Sequence, residues 1–161
     1  NLVDWRTHLS TLRDWKEQGL IRYIGITHYT VGAFDQLERI IASEKIDFVQ
    51  LPYSLTVRDA EARLLPLAAE EGVAVIVNRP FDGGGMFNAV RGKQLPGWAE
   101  EFDCGSWSAA ILKYLLGDPA VTGIIPATSV ISHMADTLAS GRGRIPDLEL
   151  RRRMVNFIES L

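Results

Sequence analysis

The chain has 161 residues, 47% of them apolar and 23% charged, with a net charge of −3. This is enough sequence for one globular domain with a buried core, and it excludes a disordered chain. No apolar run approaches the roughly 20 residues of a membrane span, and the acidic balance argues against general nucleic-acid binding.

Trp5, Leu9 and Leu12 step by four and three, which predicts a helix stopped by Gly19. Arg22 to Thr27 then reads as a strand. Phe34, Leu37, Ile40 and Ile41 mark a second helix, and Phe48 to Leu51 a short strand ended by Pro52. Leu65, Ala68 and Ala69 give a third helix closed by Gly72. Val73 to Val77 is the most continuous apolar strand, of the kind covered on both faces. A Gly-rich, polar and irregular segment follows from Asp82 to Gly105.

Trp107, Ala110, Ile111, Tyr114 and Leu115 form the next helical stripe, broken at Asp118-Pro119. Val121 to Pro126 reads as a strand. Thr128 or Ser129 is expected to cap a helix whose inner face is Ile131, Met134 and Leu138. Asp147 starts a last helix, with Leu150, Met154, Phe157, Ile158 and Leu161 on one side. The arginines at 142, 144 and 151–153 read as a basic loop and a solvated helix face. The single cysteine, Cys104, excludes an intrachain disulfide and reads as a buried thiol suited to a reducing compartment.

The order is one helix, four βα units and a final helix, so the fold class is α/β with a parallel sheet and covering helices. Two closures fit: a small open sheet, or half of an eight-stranded (β/α) barrel, which typically needs about 250 residues.

Ligands of parallel α/β folds gather at the carboxyl ends of strands. Here those ends carry Thr27-His28, Gln50, Asn78-Arg79 and Thr128-Ser129. They supply hydrogen-bonding groups and one fixed cation, which suits an anionic, amide-bearing ligand. There is no acidic pair, Cys/His cluster or Ser/His/Asp grouping to carry chemistry alone, and no metal set. Gly83-Gly84-Gly85 lacks both the G-x-G-x-x-G pattern and the P-loop lysine. Such glycines still let backbone N–H groups approach a phosphate, and a helix start at Thr128-Ser129 offers free N–H groups to an anion. Each feature has a plainer reading: Gln50 satisfying a strand end, Thr27-His28 forming a turn, the glycines marking a flexible loop.

Three stretches together resemble the aldo-keto reductase family: "GLIRYIGITHYT", "IDFVQLPYSLTVRDAEARLLPLAAEEGVAVIVNRPFDGGG", and "PAVTGIIPATS" with "HMADTLAS". The resemblance covers essentially the whole chain, as one unit over residues 1–161. It implies strands five to eight of a (β/α)8 barrel, that is, the C-terminal half of a TIM barrel, with an extra C-terminal helix.

It also implies a nicotinamide cofactor, NADP first and NAD second. Thr27 and His28 match the pair that holds the nicotinamide carboxamide, and Gln50 the glutamine that joins them. Asn78 stands where a tyrosine commonly stacks under the nicotinamide. Arg79, Pro80, Phe81, Asp82, Gly83 and Gly84 match the loop over the pyrophosphate. Ala127, Thr128 and Ser129 match the segment that binds the adenosine phosphate. Asp136 and Thr137 match the pair near the adenine, and His133 stands where the family often has an arginine. The basic residues often found near Ala127 and at His133 for a 2′-phosphate are missing.

The family's catalytic Asp, Tyr, Lys and His belong to the first half of the barrel, and none lies in this chain. Tyr23, Tyr29 and Tyr53 are not in the catalytic context. The resemblance places the start of the chain just after the family's active-site histidine, so a longer protein is expected. The implied activity is reduction of aldehydes or ketones by hydride transfer in the complete oxidoreductase. The implied partners are a small carbonyl substrate and the N-terminal half of the barrel, with no nucleic acid or membrane. The expected compartment is the cytoplasm, a targeting segment being an upstream matter. The alternative is a stand-alone, non-catalytic half-barrel that binds a nucleotide or a protein. An isolated half-barrel is expected to self-associate, because its sheet has open edges.

Overall fold

The computed structural model describes residues 2–161. Its centre is a four-stranded parallel sheet in the order β1-β2-β3-β4, formed by Gly25–Thr27, Phe48–Pro52, Ala74–Asn78 and Val121–Ile124. The helices are α1 (Trp5–Glu17), α2 (Phe34–Ser43), α3 (Leu64–Glu70), α4 (Gly85–Ala89), α5 (Trp107–Leu116), α6 (Ile131–Ala139) and α7 (Leu148–Glu159). Each strand is followed by a helix, as the βα alternation requires.

The pleat sorts the side chains. Ile26, Val49, Leu51, Val75 and Val77 are fully buried under the helices. The alternate positions Gly25, Thr27, Phe48, Gln50, Ala74 and Ile76 are only half-buried on the other face. Register aligns Thr27 with Gln50, and Gln50 with Ile76. The inner face of the sheet is therefore a shallow, semi-exposed trough.

β1 is three residues shorter than its apolar pattern suggests. β2 begins at Phe48, which is in register with Gly25; the Ile24 carbonyl still accepts the Phe48 N–H at 3.1 Å, but residues 22 and 23 have no neighbouring strand to pair with. Gly25 is also the closest approach in the sheet. A Cβ there would lie 2.3 Å from the Phe48 carbonyl oxygen and 2.9 Å from its Cβ. The obstacle is neighbouring backbone and cannot rotate away. Gly25→Ala is expected to cost about 3 kcal/mol, the upper end for overpacking. Urea denaturation reads this directly, and an unchanged midpoint would contradict the close approach.

β4 stops at Ile124, short of Pro126, because β3 ends at Asn78 and Pro126 has no N–H to extend the ladder. The β3–β4 register shifts between Val75 and Ile76. There the Thr122 hydroxyl accepts the Val75 N–H at 3.1 Å.

Both flanks of the sheet carry a helix. α1 lies beside α2 at the β1 side, through Arg13–Glu44 at 2.5 Å and Lys16–Asp47 at 2.6 Å. Asp47 also accepts the Ile24 N–H, and the hydrogen bond from Lys16 holds its carboxyl below the usual range. α6 lies beside α5 at the β4 side, tied by Ser106 to Asp136. Its expected inner face is outward: Ile131 is 88% exposed and Leu138 68%, and no residue of α6 is buried. The apolar spacing correctly marked a helix, but the layer that would cover this stripe is not supplied by the described residues.

α7 begins at Asp147, whose carboxylate accepts the Leu150 N–H at 2.9 Å. Leu150, Met154 and Ile158 are buried, while Leu161 is exposed. Arg151 is not on a solvated face. It is buried and donates to the Tyr114 carbonyl, the Tyr53 hydroxyl, Glu61 and Asp118. Its neighbours suit the expectation better: Arg152 is exposed, and Arg153 and Arg144 make surface pairs with Glu101 and Asp103.

The segment from 82 to 105 carries short helical turns, including α4 and a 3-10 stretch at Gly97–Phe102. Trp98 there packs with Phe102, Trp107 and Phe157. Cys104 is buried as expected, and burial pushes its thiol up to about 11.

Candidate cofactor site

The carboxyl ends of β1, β2 and β3 come together as the pattern predicts. Thr27 and Gln50 are register partners, and the His28 N–H donates to the Gln50 carbonyl at 3.0 Å. In a parallel ladder the His28 carbonyl would next accept from the residue at 52. That residue is Pro52, which has no N–H. The Asn78 amide fills the gap, donating from Nδ2 to the His28 carbonyl at 2.9 Å. Asn78 therefore straps three strand ends together from the place where an aromatic platform was expected. Its Oδ1 is buried and has no hydrogen-bond partner among the described residues. Turning the amide over would set Oδ1 against the His28 carbonyl, so the carbonyl fixes its orientation. The His28 ring lies elsewhere. It stacks on Tyr29 with centroids 5.3 Å apart, and its Nδ1 accepts the Thr30 N–H at 3.2 Å.

The next loop is tightly wound. Arg79, Asp82, Gly83 and Gly84 all have positive φ. The Arg79 carbonyl accepts from Asp82 N, and the Phe81 carbonyl from Gly84 N. Pro80 is buried beneath them. Position 83 favours glycine: its φ is +62°, and a Cβ would lie 3.3 Å from the Arg79 guanidinium, which would have to shift. Arg79 itself is half-exposed, 3.9 Å from the Asp82 carboxylate. It borders a cavity of about 250 Å³ with Tyr29, Pro52, Tyr53 and Ser54.

A second cavity, of about 370 Å³, lies on the other side of this loop. It is lined by Phe81, Ala127, Thr128, His133, Asp136 and Thr137, so it gathers site residues from three separate stretches of sequence. Its volume falls within the range of small-molecule sites. Phe87, Ser106, Trp107 and Ser108 complete the wall. Of these, Phe87 lies in the 86–103 segment that the family resemblance sets over the cofactor or beside the substrate pocket, while Ser106, Trp107 and Ser108 were not expected in the site. No local signal marks them, because they arrive from the α4 and α5 side of the fold.

The start of α6 differs from the expected cap. Val130 is the N-cap and makes no side-chain cap bond, while the Thr128 hydroxyl accepts the Val130 N–H at 3.1 Å. Ser129 is exposed at the turn and does not line the cavity. The first backbone N–H groups of α6 therefore lack a side-chain cap, an arrangement suited to an anion. Across the cavity, Ser106 caps α5 by accepting the Ala109 N–H at 3.0 Å. Its own proton goes to Asp136, with oxygen contacts of 2.7 and 2.9 Å.

Among the described residues no group of His, Cys, Asp and Glu could hold a metal ion. No helix is long and apolar enough to cross a membrane.

The four-stranded parallel sheet with outer helices and polar strand ends on one side has the fold of about half of a TIM-type (β/α)8 barrel, as the solved structures below show. The profile of the Aldo/keto reductase family matches residues 3–152, and the chain belongs to that family. It is 29% identical over 91 residues to the NADH-specific methylglyoxal reductase of Escherichia coli, covering 56% of this chain and 27% of that protein. It is 25% identical over 132 residues to the Escherichia coli pyridoxine 4-dehydrogenase, covering 82% of this chain and 43% of the relative. The holo form of aldo-keto reductase AKR11C1 from Bacillus halodurans superposes with a TM-score of 0.69 at 20% identity, over 91% of this chain and 53% of that one. The chain thus spans less than half the length of these curated relatives.

Proposed function

We propose that this chain is the cofactor-holding half of an aldo-keto reductase that reduces a small aldehyde or ketone. The observation that carries the reading is the 370 Å³ cavity. Residues from β3, β4, α5 and α6 regions converge there at the carboxyl ends of the strands. A bound nicotinamide supplies a hydride to a carbonyl carbon. This chain's part is binding and orientation. Thr27 and Gln50 present polar groups at the trough, and the loop at 79–84 lies between them and the nucleoside cavity. The proton donor belongs to the completing half, because the catalytic Asp, Tyr, Lys and His of the family have no counterpart in these residues.

The resemblance implies NADP(H), while one relative is NADH-specific by name. The lining of the cavity bears on that choice. The partner we assign is a unit that covers the exposed face of α6 and pairs with the free edges of β1 and β4.

Trp107 makes binding measurable, because its indole borders the cavity. NADH and NADPH titrated against tryptophan fluorescence should give a saturable change with at least one of them. No response to either would remove the cofactor-holding role.

A further inference from the structure

We propose that the nucleoside cavity selects NAD(H) over NADP(H), with Asp136 as the discriminating residue; this rests on the cofactor-holding role above. The two dinucleotides differ by one phosphate on the adenosine ribose. A phosphomonoester carries about −1.5 to −2 charge at neutral pH. A site that prefers it needs a cation, usually arginine or lysine.

No lysine or arginine lines the cavity. The nearby cations stand outside its lining: Lys93, whose carbonyl accepts the Trp107 indole N–H, is an exposed residue beyond the wall, and the others are held elsewhere. Arg79 faces the other cavity beside Asp82. Arg91 donates to the Asn88 side chain at 2.7 Å. Lys113 is buried on the carbonyls of Phe102 and Arg144, at 2.7 and 3.0 Å. Arg144 is held by Asp103.

The fixed charge in the wall is instead the Asp136 carboxylate. Ser106 holds it in place, because a hydroxyl that caps α5 has its proton free for that carboxylate. One hydroxyl cannot satisfy two carboxylate oxygens, so acceptor capacity remains. A ribose with free hydroxyls can donate to such an acceptor. This is the chemistry by which a carboxylate recognises the unphosphorylated ribose in other dinucleotide sites. A 2′-phosphate brings only acceptors and like charge. The uncapped N–H groups of α6 and the Thr128 hydroxyl are neutral donors and serve the diphosphate of either form. His133 is exposed at the rim and offers a second lever.

ADP-ribose and its 2′-phosphorylated form reach this cavity without the nicotinamide, so they isolate the choice. We would titrate both against the change in tryptophan fluorescence on the full chain at pH 8, with the wild type, Asp136→Asn and His133→Arg. ADP-ribose should bind at least tenfold tighter than the phosphorylated form. Asp136→Asn keeps the Ser106 contact and should narrow that ratio severalfold, chiefly by improving the phosphorylated ligand. His133→Arg should bring the phosphorylated ligand level or ahead. Equal or tighter binding of the 2′-phosphorylated form by the wild type would overturn the proposal. So would a ratio unmoved by Asp136→Asn while both ligands still bind. Failure of both ligands to bind the wild type would overturn the nucleoside assignment itself, a separate result.

Discussion

Replacing Arg151 with methionine is expected to lower the unfolding free energy by about 3 kcal/mol, the low end for breaking a buried ion pair. Arg151 lies on α7 and is 8% exposed. It donates to the Tyr53 hydroxyl at 2.7 Å, Glu61 at 3.1 Å, Asp118 at 3.3 Å and the Tyr114 carbonyl at 3.1 Å. Its guanidinium stacks over the Tyr114 ring. Tyr53 and Tyr114 both donate to Glu61, so removing the arginine leaves a carboxylate cluster without its cation. Glu61 is one-third exposed, which is why the low end of the range applies. Arg151→Lys keeps the charge but loses the fork, and should fall between wild type and methionine.

Urea denaturation monitored by circular dichroism measures both variants. The same network sets a pH limit. Burial, followed by neighbouring Tyr114 for Tyr53 and by Glu61 for Tyr114, raises both phenols above their ordinary value of 10.0. A raised folded pKa gives stability that is complete below the unfolded value and is lost above it. The urea midpoint should therefore hold up to about pH 9 and fall from pH 10 upward.

Trp107→Ala should damage stability and ligand binding together. Trp107 stacks on Phe157 with centroids 5.8 Å apart and meets Trp98 edge-on at 6.3 Å. Its indole N–H donates to the Lys93 carbonyl at 3.0 Å, which ties the irregular segment to α5. Truncating a buried tryptophan costs about 3–5 kcal/mol. Trp107 is half-buried, so about 2–3 kcal/mol is expected. The same ring walls the nucleoside cavity, so dinucleotide affinity should drop at least tenfold. Trp107→Phe separates the two effects, since it keeps an aromatic wall and loses the Lys93 bond. Calorimetric titration gives affinity without depending on the missing fluorophore. Unchanged affinity in a folded Trp107→Ala chain would remove this residue from the site.

How far the fold could be read depended on where each residue's partner lies. α2 and α5 were legible because their apolar stripes pack against their own sheet, with Leu37, Ile40, Ile111 and Leu115 buried. The stop at Gly72 was legible because a left-handed residue is a local need. α6 was legible as a helix, but its orientation was not, because spacing says which residues share a face and not what covers it. Arg151 was misread because its carboxylate partners, Glu61 and Asp118, lie 90 and 33 residues earlier.

The site divides in the same way. Phe81, Ala127, Thr128, His133, Asp136 and Thr137 were named from the family pattern and meet around one cavity. Asn78 was seen as an anomaly, but its strap cannot be inferred from its own strand. It answers a missing N–H on β2 by reaching a carbonyl after β1. Arg79 borders a different cavity from these residues, because positive φ at 79 and 82 turns the loop there.

The helices flanking both edges of the sheet constrain stoichiometry. A head-to-tail, two-fold pair of these chains would set β4 of one copy beside β1 of the other and close eight parallel strands. The groove over each new junction has room for one helix. Here it would receive two, α6 from one copy and α1 from the next. Symmetric closure would therefore have to move one of the two aside, although the strand count permits it. The complement proposed above would then be asymmetric: four strands with three helices between them, beginning and ending on a strand.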